Sequence, residues 1–208
     1  NGARQVGKTY LIKEFGEMYF KNTVYFNLET NLAVNSYFET DIHPLRIIQY
    51  LETASGQRII PEETLLVLDE IQSCPRALTA LKTFCEEAPQ YYIVCAGSLL
   101  GVAVNRDNYS FPVGKVNEIH LFPMDFEEFL NALNEDLLMS EIRAHFASDL
   151  KMPEILHNKA LDYYKQYLIV GGMPAVVNEF VHTQSLLTAA EIQGRIQNEY
   201  ISDMAKYA

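Results

Sequence analysis

Eight residues at the front of the chain, Gly2-Ala3-Arg4-Gln5-Val6-Gly7-Lys8-Thr9, have the types and spacing that chemistry on a phosphate anhydride needs. They fit G-x-x-x-x-G-K-[ST], a loop that cradles phosphates. Its two glycines let the backbone curl until successive N–H groups point inward at phosphate oxygens. Lys8 supplies a cation for the β- and γ-phosphates, and Thr9 a hydroxyl for Mg²⁺. A helix starting at that point aims its positive end at the anion. A glycine-rich turn can match the pattern by chance, so the loop needs partners elsewhere in the chain.

The first partner is Thr64-Leu65-Leu66-Val67-Leu68-Asp69-Glu70. Its consecutive apolar residues predict a strand covered on both faces, as in a parallel sheet. Two carboxylates then stand at its C-terminal end, where open α/β sheets bind ligands. Asp69 is suited to hold Mg²⁺ through water, and Glu70 to orient and polarise an attacking water. A strand ending in a solvated acidic turn looks the same in isolation. Downstream of a phosphate loop the pair has a use, because Mg²⁺–phosphate sites need a carboxylate. A third candidate is Ser98, just past the strand Tyr91–Ala96, as a polar sensor of the γ-phosphate or the lytic water. A lone serine in a turn serves structure equally well.

The elements that must position these residues follow from periodicity. Lys8 to Phe15 is expected to be helical, with Gly16 as its stop. Thr23–Leu28 is β-branched and aromatic and predicts a strand. Between residues 31 and 55 come two amphipathic helices, the second with Ile47, Ile48 and Leu51 on one face. Pro75 opens another helix, on which Leu78, Leu81, Cys85 and Ala88 recur at helical spacing. Val116–Leu121 predicts the last strand. Asp125 with Glu128 forms a capping box before the apolar stripe Phe126, Phe129, Leu130 and Leu133. Beyond it the pattern is helical throughout. One helix carries Leu156, Ala160, Tyr164, Tyr167 and Leu168 and stops at Gly171-Gly172; Pro174 can open the next. A last one carries Ile192, Ile196, Tyr200, Met204 and Tyr207. Alternating strands and helices, then helices alone, predict an α/β parallel sheet with flanking helices over 1–122, followed over 123–208 by a helical lid and the start of a truncated C-terminal region.

Composition sets bounds on this reading. The 208 residues carry 49% hydrophobic and 21% charged residues, an ordinary globular balance. A net charge of −11 argues against a broad nucleic-acid surface. Cys74, Cys85 and Cys95 lack C-x-x-C spacing, so neither a disulfide framework nor a zinc site is indicated. No apolar run is long enough for a membrane span and no signal peptide opens the chain, so a cytoplasmic location is expected. The chain begins at Asn1 without the strand that should precede such a loop, and its last helical pattern looks unfinished. It is therefore expected to be a fragment of a longer protein.

The segments GARQVGKT, LLVLDEIQ, the strand ending in AGS, EIHLFPMDFEEFL and YLIVGGMPAVV together resemble one prokaryotic family. It comprises AAA-like P-loop ATPases with a G-x-R-Q-x-G-K-T Walker A motif, a D-E-I-Q Walker B motif and a C-terminal domain of unknown function. The resemblance spans nearly the whole chain in motif order. It implies a P-loop NTPase core with a helical lid, whose central strand would lie between the Walker B strand's neighbour and the sheet edge. It also implies ATP and Mg²⁺ as cofactors. Gly2, Ala3, Arg4, Gln5, Val6, Gly7, Lys8 and Thr9 would hold phosphate; Thr9 and Asp69 the metal; Glu70, Lys8 and Ser98 would act in catalysis. Gly172-Met173-Pro174 resembles a G-x-P motif near adenine, although a helix-to-helix turn needs the same residues. The family's usual Gly-Arg is here Gly114-Lys115, and lysine lacks the bidentate fork of an arginine finger. Arg4 and Arg106 are the alternatives. Two functions follow: an ATPase, or a slowly hydrolysing nucleotide-dependent switch or scaffold that controls a protein partner or a C-terminal effector domain. An oligomer is compatible with either.

Overall fold

The computed structural model describes residues 1–97 and 114–207. Their elements fall into two compact units, Asn1–Leu121 and Phe122–Ala208. The first unit is α/β. Helix α1 (Lys8–Tyr19) leads to strand β1 (Asn22–Asn27), helices α2 (Leu32–Thr40) and α3 (Pro44–Ser55), then strand β2 (Thr64–Asp69). A 3₁₀ turn at Ile71–Ser73, helix α4 (Pro75–Glu87) and strand β3 (Tyr92–Cys95) follow. The three strands form a parallel sheet in the order β1-β2-β3, a P-loop NTPase-like arrangement.

Strand alternation decides which side chains reach which helices. Val24 and Phe26 of β1, with Leu66 and Leu68 of β2, point into the main core. There they meet Val34 and Phe38 of α2, Ile47 and Leu51 of α3, and Ala77 and Phe84 of α4. The opposite parity, Thr23, Tyr25, Leu65, Val67 and Asp69, belongs to the α1 side. All six residues of β2 are buried, as expected for a strand covered on both faces.

Three expectations from the sequence are corrected. Helix α1 does not stop at Gly16 but runs on to Tyr19. Gly16 is buried there because a Cβ would stand 2.3 Å from Thr23 Oγ1, so the glycine lets the helix approach β1. On α4, Cys85 is exposed while Phe84 is buried. The rest of the expected stripe holds: Leu78 and Ala88 are buried in the core and Leu81 packs against it, while Leu78, Leu81 and Cys85 also line a largely apolar cavity of about 770 Å³ that touches Ile12 of α1. Val116–Leu121 forms no strand. Among the described residues it makes an isolated bridge rather than a ladder. What remains is a parallel bridge between Gly2 and Leu121, with Leu121 N donating to Asn1 O and the Asn1 amine donating to Ile119 O. The cavity lies between β3 and this stretch, the position that the resemblance assigns to a central strand.

The second unit is helical: α5 (Phe126–Ala132), α6 (Asp136–Ser148), α7 (Glu154–Val170), α8 (Pro174–Thr183) and α9 (Leu186–Tyr207). The capping box at Asp125 and Glu128 is complete, each side chain accepting from the other residue's backbone N–H. Phe129, Val170, Val176, Val177, Phe180 and Ile196 form the core. Leu168 and Met204, on the helical stripes named above, are 65% and 51% exposed. Both sit at helical spacing from buried residues, but on the edge of a stripe that the core does not need.

Between α7 and α8, Gly172 packs against the backbone of Met124. Met124 N donates to Gly172 O at 2.7 Å, and a Cβ on Gly172 would stand 1.9 Å from Met124 O. Gly172→Ala is therefore expected to lower stability by at least about 2–3 kcal/mol in chemical denaturation. Gly194→Ala on α9, where a Cβ meets open space, should be neutral or stabilising by up to about 1 kcal/mol.

Candidate functional site

The site forms where α1 starts beside the C-terminal end of β2. Gly7 precedes α1 with φ 96°, a left-handed conformation that glycine adopts without strain, and no side chain caps the helix. The first N–H groups of α1 are thus without a side-chain cap at the positive end of the helix dipole. Gln5 is also left-handed, at φ 60°. Val6 is buried at 3% exposure and anchors the loop from below. Lys8 turns back across the loop and donates to Ala3 O at 2.7 Å and Gly2 O at 3.1 Å. Burial lowers its pKa, while Glu70 and Asp69 oppose that shift; both carboxylates therefore act on its ammonium.

Asp69 is the centre of the polar network. It is 3% exposed, and a buried carboxylate needs donors. Its Oδ2 accepts from Thr9 Oγ1 at 2.7 Å and from the Tyr25 hydroxyl at 2.8 Å; its Oδ1 accepts from Glu70 N at 3.0 Å. The geometry follows from strand parity. Position 69 lies on the α1 side of β2, and Thr9 lies in the first turn of α1. Tyr25 pairs with Val67 in the ladder, which sets it diagonally across from Asp69 on that same face. Burial, followed by the hydrogen bond to Asp69, pushes the Tyr25 phenol up to about 12. Lys13 of α1 lies over its ring, 4.5 Å from the centroid.

Glu70 follows β2 in a left-handed turn, φ 52° and ψ 47°, unusual for a residue with a side chain. Ile71 N donates to Ala96 O, tying this turn to the end of β3. The buried Gln72 donates through Nε2 to Glu70 Oε2 at 2.5 Å. The sequence reading missed both Tyr25 and Gln72. Tyr25 had a usable signal, since alternation through Val24 and Phe26 leaves it facing away from the core. Gln72 had none beyond its nearness to Glu70.

The structure thus brings Gly2, Ala3, Gly7, Lys8, Thr9, Asp69 and Glu70 into one site. Arg4 lies beside it, with a guanidinium nitrogen 3.9 Å from Glu29 Oε2. Lys115 lies elsewhere: its Nζ is 3.1 Å from Glu86 Oε1, in the last turn of α4. That helix starts near the end of β2 and runs back along the sheet for about 20 Å. Lys115 therefore stands at the opposite end of the sheet from Asp69. Gly172 and Pro174 belong to the second unit, where Pro174 opens α8. Ser98 and Arg106 lie outside the described residues.

A hydroxyl and a carboxylate are hard oxygen donors, the kind that suits Mg²⁺ shared with phosphate. Among the described residues no group of three or more His, Cys, Asp or Glu could hold a metal alone. None of the described helices is long and apolar enough to cross a membrane. A family model described as AAA domain matches residues 1–130, more than half of the chain. No curated protein matches it.

Proposed function

The chain belongs to the AAA domain family, and from that premise we propose that it binds ATP with Mg²⁺ and hydrolyses it to ADP and phosphate. The observation that carries this reading is the 2.7 Å hydrogen bond from Thr9 to Asp69, which joins the loop to the β2 carboxylate across 60 positions. The backbone N–H groups of residues 2–9 and the start of α1 hold the phosphates. Lys8 moves from the Gly2 and Ala3 carbonyls to phosphate oxygens when they arrive. Thr9 offers a hydroxyl oxygen to Mg²⁺, and Asp69 holds the metal's water shell. The metal, when bound, neutralises charge on the transferred phosphoryl group. Glu70 orients a water and accepts its proton. By the G-x-P resemblance, Gly172 and Pro174 are assigned to adenine and the helices of 123–208 to a lid.

A second reading, a slowly hydrolysing switch that controls a protein partner or effector domain, is favoured by one observation. Lys115, which replaces the family's arginine, pairs with Glu86 far from the loop. In this chain that lysine is engaged by Glu86 rather than by the loop. Phosphate release and ATP calorimetry separate the two readings. The first expects Mg²⁺-dependent phosphate release that EDTA abolishes. Tight ATP binding without release would favour the switch, and no binding at all would overturn both.

A further inference from the structure

Tyr25 takes no part in the phosphate loop, yet its hydroxyl shares Asp69 Oδ2 with Thr9, at 2.8 and 2.7 Å. A carboxylate offers about four lone-pair positions. Three are taken by Thr9, Tyr25 and Glu70 N. Two of these donors have other demands on them: Thr9 presents its oxygen to the metal, and Glu70 N sits in a strained turn. Tyr25 gives its hydroxyl proton to Asp69, while the Asn27 side chain hydrogen-bonds to the same hydroxyl and helps hold it. It rises from the middle of β1, held by the ladder to β2 and covered by Lys13 of α1. It is the donor best placed to keep the carboxylate plane fixed while the others rearrange.

We propose that Tyr25 is a positioning residue for Mg²⁺, acting through Asp69, so that its hydroxyl sets how tightly the metal joins ATP on this protein. The inference rests on the Mg²⁺–ATP reading above. A ligand's hydrogen-bond partner orients it, and loss of such a partner typically weakens metal binding by about 10- to 100-fold. A tyrosine that merely filled the α1 face would be replaced by phenylalanine without consequence for the metal.

The test is ATP calorimetry across a Mg²⁺ titration, and again in EDTA, for the wild type, Tyr25→Phe, Asp69→Asn and the double variant. Tyr25→Phe should raise the Mg²⁺ midpoint about tenfold and leave ATP affinity in EDTA unchanged. In the Asp69→Asn background the same change should add nothing, because the carboxylate through which Tyr25 acts is gone. An unchanged midpoint, an equal loss in EDTA, or full additivity in the double variant would overturn the inference. A wild type that binds ATP equally with and without Mg²⁺ would overturn the metal reading itself.

Discussion

Lys8→Ala is expected to lower ATP affinity by at least about a hundredfold in calorimetry. Two charge-assisted hydrogen bonds to phosphate are lost, each worth about 1.5–3 kcal/mol, and each 1.4 kcal/mol is a factor of ten. Within the protein alone, Lys8 Nζ already sits on the Ala3 and Gly2 carbonyls. Its removal therefore also frees the loop backbone, and a stability change must be told apart from lost phosphate contacts. Thermal melting without nucleotide measures the first effect; the ATP-induced rise in melting temperature measures the second. The ATP-induced rise should vanish while the nucleotide-free melting temperature moves little, because the lysine is only half buried. Unchanged affinity would sink the whole functional reading.

What could be read from the sequence divides along a physical line. Local signals carried through: β2 as a run of buried apolar residues, Pro75 and Pro174 at helix starts, and the capping box at Asp125. Each depends on a few neighbours in the chain. What failed depends on residues far apart. Gly16 looked like a helix end until Thr23 was seen packed against it. Val116–Leu121 has strand composition, but a strand exists only where a partner pairs along its length, and among the described residues it has only a single bridge, to Gly2. Cys85 has the right spacing for a buried stripe, and Leu78 and Ala88 of that stripe do join the core, yet Cys85 itself faces the cavity. In the site the same rule holds. Thr9, Asp69 and Glu70 stand in motifs, whereas Tyr25 becomes visible only when the β1–β2 register sets it diagonally from Asp69.

Glu70→Gln should separate binding from chemistry. Glu70 follows the end of β2 in a left-handed turn and accepts a hydrogen bond from the buried Gln72. A glutamine there is isosteric, and its amide oxygen can keep the bond from Gln72 Nε2, so the turn and the fold should survive. The variant also keeps every group proposed to hold ATP: the loop N–H groups, Lys8, Thr9 and Asp69. It loses only the ability to take a proton from water. General-base removal costs about 10²–10⁴ in rate, so phosphate release should fall by that factor while ATP affinity stays within about twofold. Turnover equal to the wild type would remove Glu70 from the mechanism. Lost binding would mean instead that its charge helps hold Lys8, the two carboxylates being the groups that oppose the lowering of the lysine's pKa. Retained binding with lost release is the one outcome that assigns Glu70 to the water, and it arises only if the wild type turns ATP over.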